Sequence, residues 1–505
     1  DTAMATDTGM KKNSPSPRDA RSSGMLGCLR PVSAVACLVA VGALSTTAIS
    51  GDWKVTDDIG LTTTAVDRNG NDSYTGVVFQ LSPRWTATGR GGRITANVSY
   101  QPTLSYGTGS TDPKALTHQL LATSRTEVVR NRFFVGANAS AGLRGNQASS
   151  GQTDAINFSD GGQQSYSVSV SPEYRQRLSP HINFVSNNNL NHVWYSGNDG
   201  GSGSDPSTAY TLNAALQSGR YFGSLGWSLQ ATQSETLFDD REDDRRRDYT
   251  AGLSYRWDAH WQANGSVGYE DADVETNRDD TDGVTWNVGG AWTPNPRTSV
   301  NASYGERYYG NTWSGGVSHR SKRTRLGVNA SRSLDNRRNQ QLVDSFFFLV
   351  DEDGNPITDP DTGQPLIANI PQLDDTDEDF INNRVSAIIA VTGLRTTVSL
   401  TGTFSRREYE VSDDDQDSYG TTLRATRRLG QGYDASVSSS VTHFTGDGDN
   451  DDDSTNYDVS FSLSKQFSRR SSASLFVLYR EQNSDDGDDD YDERRIGLTL
   501  RTNLL

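Results

Sequence analysis

The stretch YTAGLSYRWDAHWQANGSVGY, residues 249–269, decides the fold. Tyr249, Ala251, Leu253, Tyr255 and Trp257 alternate with Thr250, Gly252, Ser254 and Arg256. After Asp258-Ala259-His260 the alternation resumes, with Trp261, Ala263, Val267 and Tyr269 against Gln262, Asn264 and Ser266. A period of two places one set of side chains on each face of a strand, and the short polar break turns the chain back on itself. The stretch is therefore a β-hairpin with one apolar face and one polar face.

The same reading extends outward along the chain. Ile94, Ala96, Val98 and Tyr100 alternate with Thr95, Asn97 and Ser99. Tyr457, Val459, Phe461 and Leu463 alternate with Asp458, Ser460, Ser462 and Ser464, and Ile496, Leu498 and Leu500 close the series. No helical period competes with it after residue 50.

Alternation alone also fits a soluble sandwich. Three further features point to a membrane barrel. The polar face stays polar along almost every strand. Aromatic residues collect near strand ends on the apolar face (Trp257, Trp261, Trp292, Tyr304 and Tyr308), as interfacial girdles require. Short turns such as Arg90-Gly91-Gly92, Ser179-Pro180 and Pro294-Asn295-Pro296 also alternate with longer polar loops such as 146–164 and 196–207. The expected fold is all-β: a transmembrane antiparallel up-and-down β-barrel of about 22 strands, within a bracket of roughly 16 to 22. Because the strand pattern starts at Trp53, no plug domain is expected.

Hydrophobic residues make up only 33% of the 505 residues. A helical membrane protein would need far more, but a barrel strand shows lipid only at every second position. The formal charge of −17 removes the counterion release that drives nucleic-acid binding. Both cysteines, Cys28 and Cys37, lie in the first fifty residues. There Lys11, Lys12, Arg18, Arg21 and Arg30 precede or flank an apolar run from Val32 to Leu44. This is the layout of a signal peptide, with cleavage expected before Gly51. Residues 1–50 are thus expected to be a leader and 51–505 the barrel, in the bacterial outer membrane among lipid, lipopolysaccharide and the barrel-insertion machinery.

Chemistry is sparse. Arg175, Arg256, Arg325 and Arg501 fall on the polar phase and are candidate lumen charges. They give either a basic lining or mere balance for carboxylates on neighbouring strands. The insertion 335–379 carries Phe346, Phe347, Phe348, Leu349 and Val350, an apolar run costly to leave in open water. Those five residues are a candidate loop constriction, or one half of a hairpin over the barrel mouth. Acidic loops with Asp447, Asp449, Asp451 to Asp453 and Asp485 to Asp490 offer hard oxygen ligands, so weak Ca²⁺ binding is the only cofactor expectation. His319-Arg320-Ser321 has the His-x-Ser spacing of outer-membrane lipid hydrolases. It sits at an expected periplasmic turn beside Lys322 and Arg323, which favours contact with lipid head groups; no enzyme is expected.

Phe348 to Pro365, FLVDEDGNPITDPDTGQP, followed by Asp379-Phe380-Ile381-Asn382-Asn383-Arg384, is similar to the signature segment of the PEP-CTERM-system-associated outer-membrane β-barrel family. The start Gly51-Asp52-Trp53-Lys54-Val55-Thr56 is similar too. The resemblance implies a porin-like barrel tied to exosortase and exopolysaccharide loci, with exopolysaccharide or its export components as partners. It supplies no catalytic residues. A general diffusion porin, and a structural or adhesion barrel acting through acidic loops, are the alternatives.

Overall fold

The computed structural model describes residues 51–505 apart from 71–72, 110–114, 145–153, 157–162, 198–205, 239–241, 337, 339–377, 413, 447–452, 486–489 and 505. The expected signal peptide and the Phe346 to Val350 run lie outside the described residues.

Strands β1 (Gly51–Gly70) and β2 (Tyr74–Gly91) lead to β3 (Ile94–Gly109), β4 (Ala115–Val129), β5 (Phe133–Arg144) and β6 (Gln163–Arg177). Then come β7 (Ile182–Asn187), β8 (Asn189–Gly197), β9 (Ser207–Ser218), β10 (Leu225–Phe238), β11 (Asp244–Arg256) and β12 (Trp261–Asp273). They are followed by β13 (Asp282–Asn295), β14 (Thr298–Arg307), β15 (Gly310–Arg320), β16 (Thr324–Asn336) and β17 (Asp379–Thr392). The wall ends with β18 (Thr396–Tyr409), β19 (Asp415–Gly430), β20 (Tyr433–Gly446), β21 (Ser454–Gln466), β22 (Ser471–Ser484) and β23 (Tyr491–Asn503).

Each strand pairs antiparallel with its chain neighbours, and β1 pairs with β23 from Asp58↔Asn503 to Gly70↔Tyr491. That last ladder closes the sheet, so no edge is left to recruit another chain. β7 and β8 are one barrel strand: both lie between β6 and β9 in unbroken register. The wall therefore has 22 strands, as the sequence predicts.

The break at Asn188 has a local cause. Its backbone N–H donates to Pro172 O at 3.0 Å, but proline has no N–H to return. The Asn188 side chain instead accepts the N–H of Asn213 at 3.1 Å. A gap in the β2–β3 ladder between Leu81↔Leu104 and Trp85↔Tyr100 has the same origin, because it brackets Pro83 and Pro102.

The connections at one end run from two to six residues, and two of them take positive φ at Asn131 and Gln431. The long connections gather at the other end. Two links at that loop end are nevertheless short, residues 71–73 and 308–309. Side-chain exposure follows the predicted phase: Val459 and Phe461 are exposed on the outside, while Ser462 is buried on the inside, its hydroxyl 2.7 Å from that of Ser436.

Candidate functional site: the barrel lumen and its mouth

Large apolar side chains cover the outer face on strand after strand, among them Leu61, Phe79, Leu253, Val267, Val288, Leu475 and Ile496, all exposed. Water-soluble proteins rarely expose a contiguous apolar patch above a few hundred Å²; here the patch encircles the molecule. Aromatic rings border it on both sides. Trp257, Trp261 and Trp292 lie near the turn end, with Trp261 and Trp292 paired across strands and stacked at 5.4 Å. Tyr249, Tyr269 and Tyr304 lie toward the loop end. Eight residues separate Tyr249 from Trp257 and Trp261 from Tyr269, a rise of roughly 20 Å at about 3.3 Å per residue and a tilt of about 40°. That is close to the apolar height of an outer membrane.

The protein is a bacterial outer-membrane β-barrel. Its tight turns face the periplasm and its loops the exterior. Tyr308, expected in a girdle, is not part of one: it lies in the β14–β15 connection, beside the Arg246–Asp379 pair of the mouth. Burial there pushes its hydroxyl pKa well up.

Inside the wall, three arrangements narrow the extracellular half. The first comes from the β5–β6 connection, whose residues 154–156 reach the opposite side of β3. The Asp154 carboxylate accepts from Arg495 at 2.6 Å and Arg480 at 2.8 Å, on β23 and β22. The Arg480 Nε also donates to Asp458 at 2.7 Å, and Arg495 contacts the fully buried Glu493. Burial alone would raise the Asp154 pKa, but the guanidinium groups of Arg495 and Arg480 override it and hold the carboxyl well below its ordinary value. The Ala155 carbonyl accepts from Ser105 at 3.1 Å. Ile156 packs with Val66, Tyr74 and Val78 on the inner face of β1 and β2.

The second arrangement ties wall to wall. Arg246 on β11 meets Asp379 on β17 at 2.5 Å, and Asn336 donates to the same carboxylate at 3.0 Å. Arg307 on β14 reaches buried Glu270 at 2.7 Å and Asp248 at 2.9 Å. Between loops, Arg278 grips Glu410 through two hydrogen bonds of 2.6 and 2.9 Å.

The third is Arg338, just past β16. It is buried and donates to Ser207 Oγ at 2.7 Å and to the Asn191 carbonyl at 3.3 Å, on β9 and β8. Burial pushes its pKa down to about 10. The insertion 335–379 thus begins by crossing toward the far wall.

The four predicted lumen arginines all face inward, in the periplasmic half. Arg501 pairs with Asp58 at 2.8 Å and Arg175 contacts Glu173. Arg256 and Arg325 are exposed to the lumen. The strands do not gather these four into one cluster. The Asp154 anchor was not legible as a site, yet it left a trace: Val77-Val78-Phe79 is apolar on both phases, so one of its residues had to be apolar inside. His319 Nδ1 lies 2.9 Å from Thr298 Oγ1, and Ser321 Oγ accepts the backbone N–H of Thr324 at 3.1 Å. No group of three metal-ligating side chains occurs among the described residues; most of the acidic loop positions lie outside them.

Neither a family model nor a curated protein matches the chain. Solved barrels resemble it at low identity. The siderophore receptor PirA of Pseudomonas aeruginosa aligns at 10% identity and TM-score 0.45, over 90% of this chain and 81% of that one. OprD of the same organism aligns at 10% and 0.32, over 90% and 96%. A loop-deletion mutant of OmpT from Vibrio cholerae aligns at 8% and 0.32, over 90% and 100%.

Proposed function

We propose that the protein is a porin-like channel of the outer membrane whose extracellular mouth is narrowed from within. One observation carries the reading: the inner face of the wall is lined by hydroxyl, amide and charged side chains, several of them open to solvent, which favours water over a packed core. The narrowing rests on the Asp154–Ile156 segment and the Arg246–Asp379 pair. Purified protein in planar bilayers conducts ions on this reading, and persistent silence across voltages and salts would favour a purely structural barrel.

The finer reading is service to exopolysaccharide export. It rests on the resemblance carried by 348–365 and 379–384. A strain lacking the protein should then lose extracellular polysaccharide while keeping its uptake of small solutes; the reverse pattern favours a general diffusion porin. We read no catalysis: the Ser321 oxygen is engaged as a turn cap, and His319 is engaged with Thr298.

A further inference from the structure

The lumen has two electrostatic halves. In the extracellular half the inward charges meet in opposed sets, as with Asp154 between Arg480 and Arg495, Arg307 on Glu270 and Asp248, and Arg246 on Asp379. The periplasmic half is different. There one carboxylate, Asp58, is shared by Arg84 at 2.7 Å and Arg501 at 2.8 Å. A second, Glu173, is shared by Arg125 at 2.6 Å and by Arg175. Arg256 and Arg325 face the same space, exposed, and no ion pair to either occurs among the described residues. Six guanidinium groups thus stand against two carboxylates. The remaining inward carboxylates of this half, Asp52, Glu127 and Asp434, are outnumbered in turn by Lys54, Arg90, Arg177 and Arg428.

Guanidinium groups keep their charge at every physiological pH. A concave space with one sign of charge, walled by low-dielectric protein and lipid, concentrates ions of the opposite sign. The chain as a whole is acidic, at −17, so this local surplus runs against its net charge. We infer that the periplasmic half of the lumen is an anion filter, and that the channel prefers dissolved anions, with Arg256 and Arg325 setting the preference. The inference rests on the channel reading above.

The preference should be steep near ~0.1 M salt, where the Debye length is about 10 Å, and weak near ~1 M, where it shrinks to about 3 Å. The test is the reversal potential of the full chain in planar bilayers under a KCl gradient around ~0.1 M. Chloride should permeate more readily than potassium, and R256E/R325E should lower that ratio several-fold. The glutamine pair R256Q/R325Q, milder toward folding, should lower it less. Heat-modifiable electrophoretic migration verifies that each variant is folded. Conduction without anion preference, or a ratio unmoved in the folded variants, overturns the inference and leaves the channel intact. Folded wild-type protein that conducts nothing overturns both.

Discussion

Arg246 on β11 and Asp379, the first residue of β17, touch at 2.5 Å although five strands lie between theirs around the wall. A round barrel of 22 strands has a backbone diameter of roughly 44 Å, which would hold those strands roughly 33 Å apart. Two side chains cannot bridge that gap, so the extracellular end of the wall is drawn inward. The pair acts as a clasp, and the wall itself contributes to the narrowing.

Opening the clasp should widen the pore. Arg246→Ala leaves the buried Asp379 with Asn336 as its remaining described side-chain partner, at a cost of about 1–3 kcal/mol. We expect a larger single-channel conductance, and a double-mutant cycle with Asp379→Ala should show strong coupling. Additive effects in that cycle would mean that the two side chains do not act as a unit.

Acid should release the Asp154 anchor. Its carboxyl has a lower pKa when docked than when free, so docking is fully stabilised above the free value of 3.8. That stabilisation falls away as the pH drops below 3.8 toward the docked value. Conductance should be flat from neutral pH down to about pH 5 and rise below about pH 4. Asp154→Asn should conduct at neutral pH as the wild type does in acid. A wild-type profile unchanged down to about pH 3 would count against the anchor.

Ile156 offers an independent handle on the same segment, because its contribution is apolar and insensitive to pH. Removing a fully buried aliphatic side chain from its contacts costs about 1.5–3 kcal/mol. Ile156→Ala should raise conductance at neutral pH, and combined with Asp154→Asn it should add little once the segment is undocked. A cysteine at position 156 should react faster with a water-soluble thiol reagent in the Asp154→Asn background than with Asp154 in place.

The membrane face can be tested on β21. Phe461→Arg at mid-membrane should cost about 2–4 kcal/mol in a refolding assay, whereas Ser460→Arg, on the lumen phase, should cost far less. Ser462 is the poorer control, because it is buried against Ser436. Equal losses at 460 and 461 would mean that the faces are misassigned.

The sequence determined by itself whatever depends on local period. A strand turns alternate side chains to opposite faces whatever surrounds it, so Val459 and Phe461 against Ser460 and Ser462 already separated lipid from lumen. Tight turns at one end and loops at the other then set the strand number and the closure. It also placed Arg175, Arg256, Arg325 and Arg501 on the inner phase. What it left open was partnership. Arg246 and Asp379 lie 133 positions apart and Asp154 and Arg495 341, in a chain with 47 basic and 64 acidic residues. Nothing local singles out one pairing among so many. Only the closed wall, by bringing particular strand ends within reach of one another, decided which arginine meets which carboxylate, and which of the lumen arginines must share one.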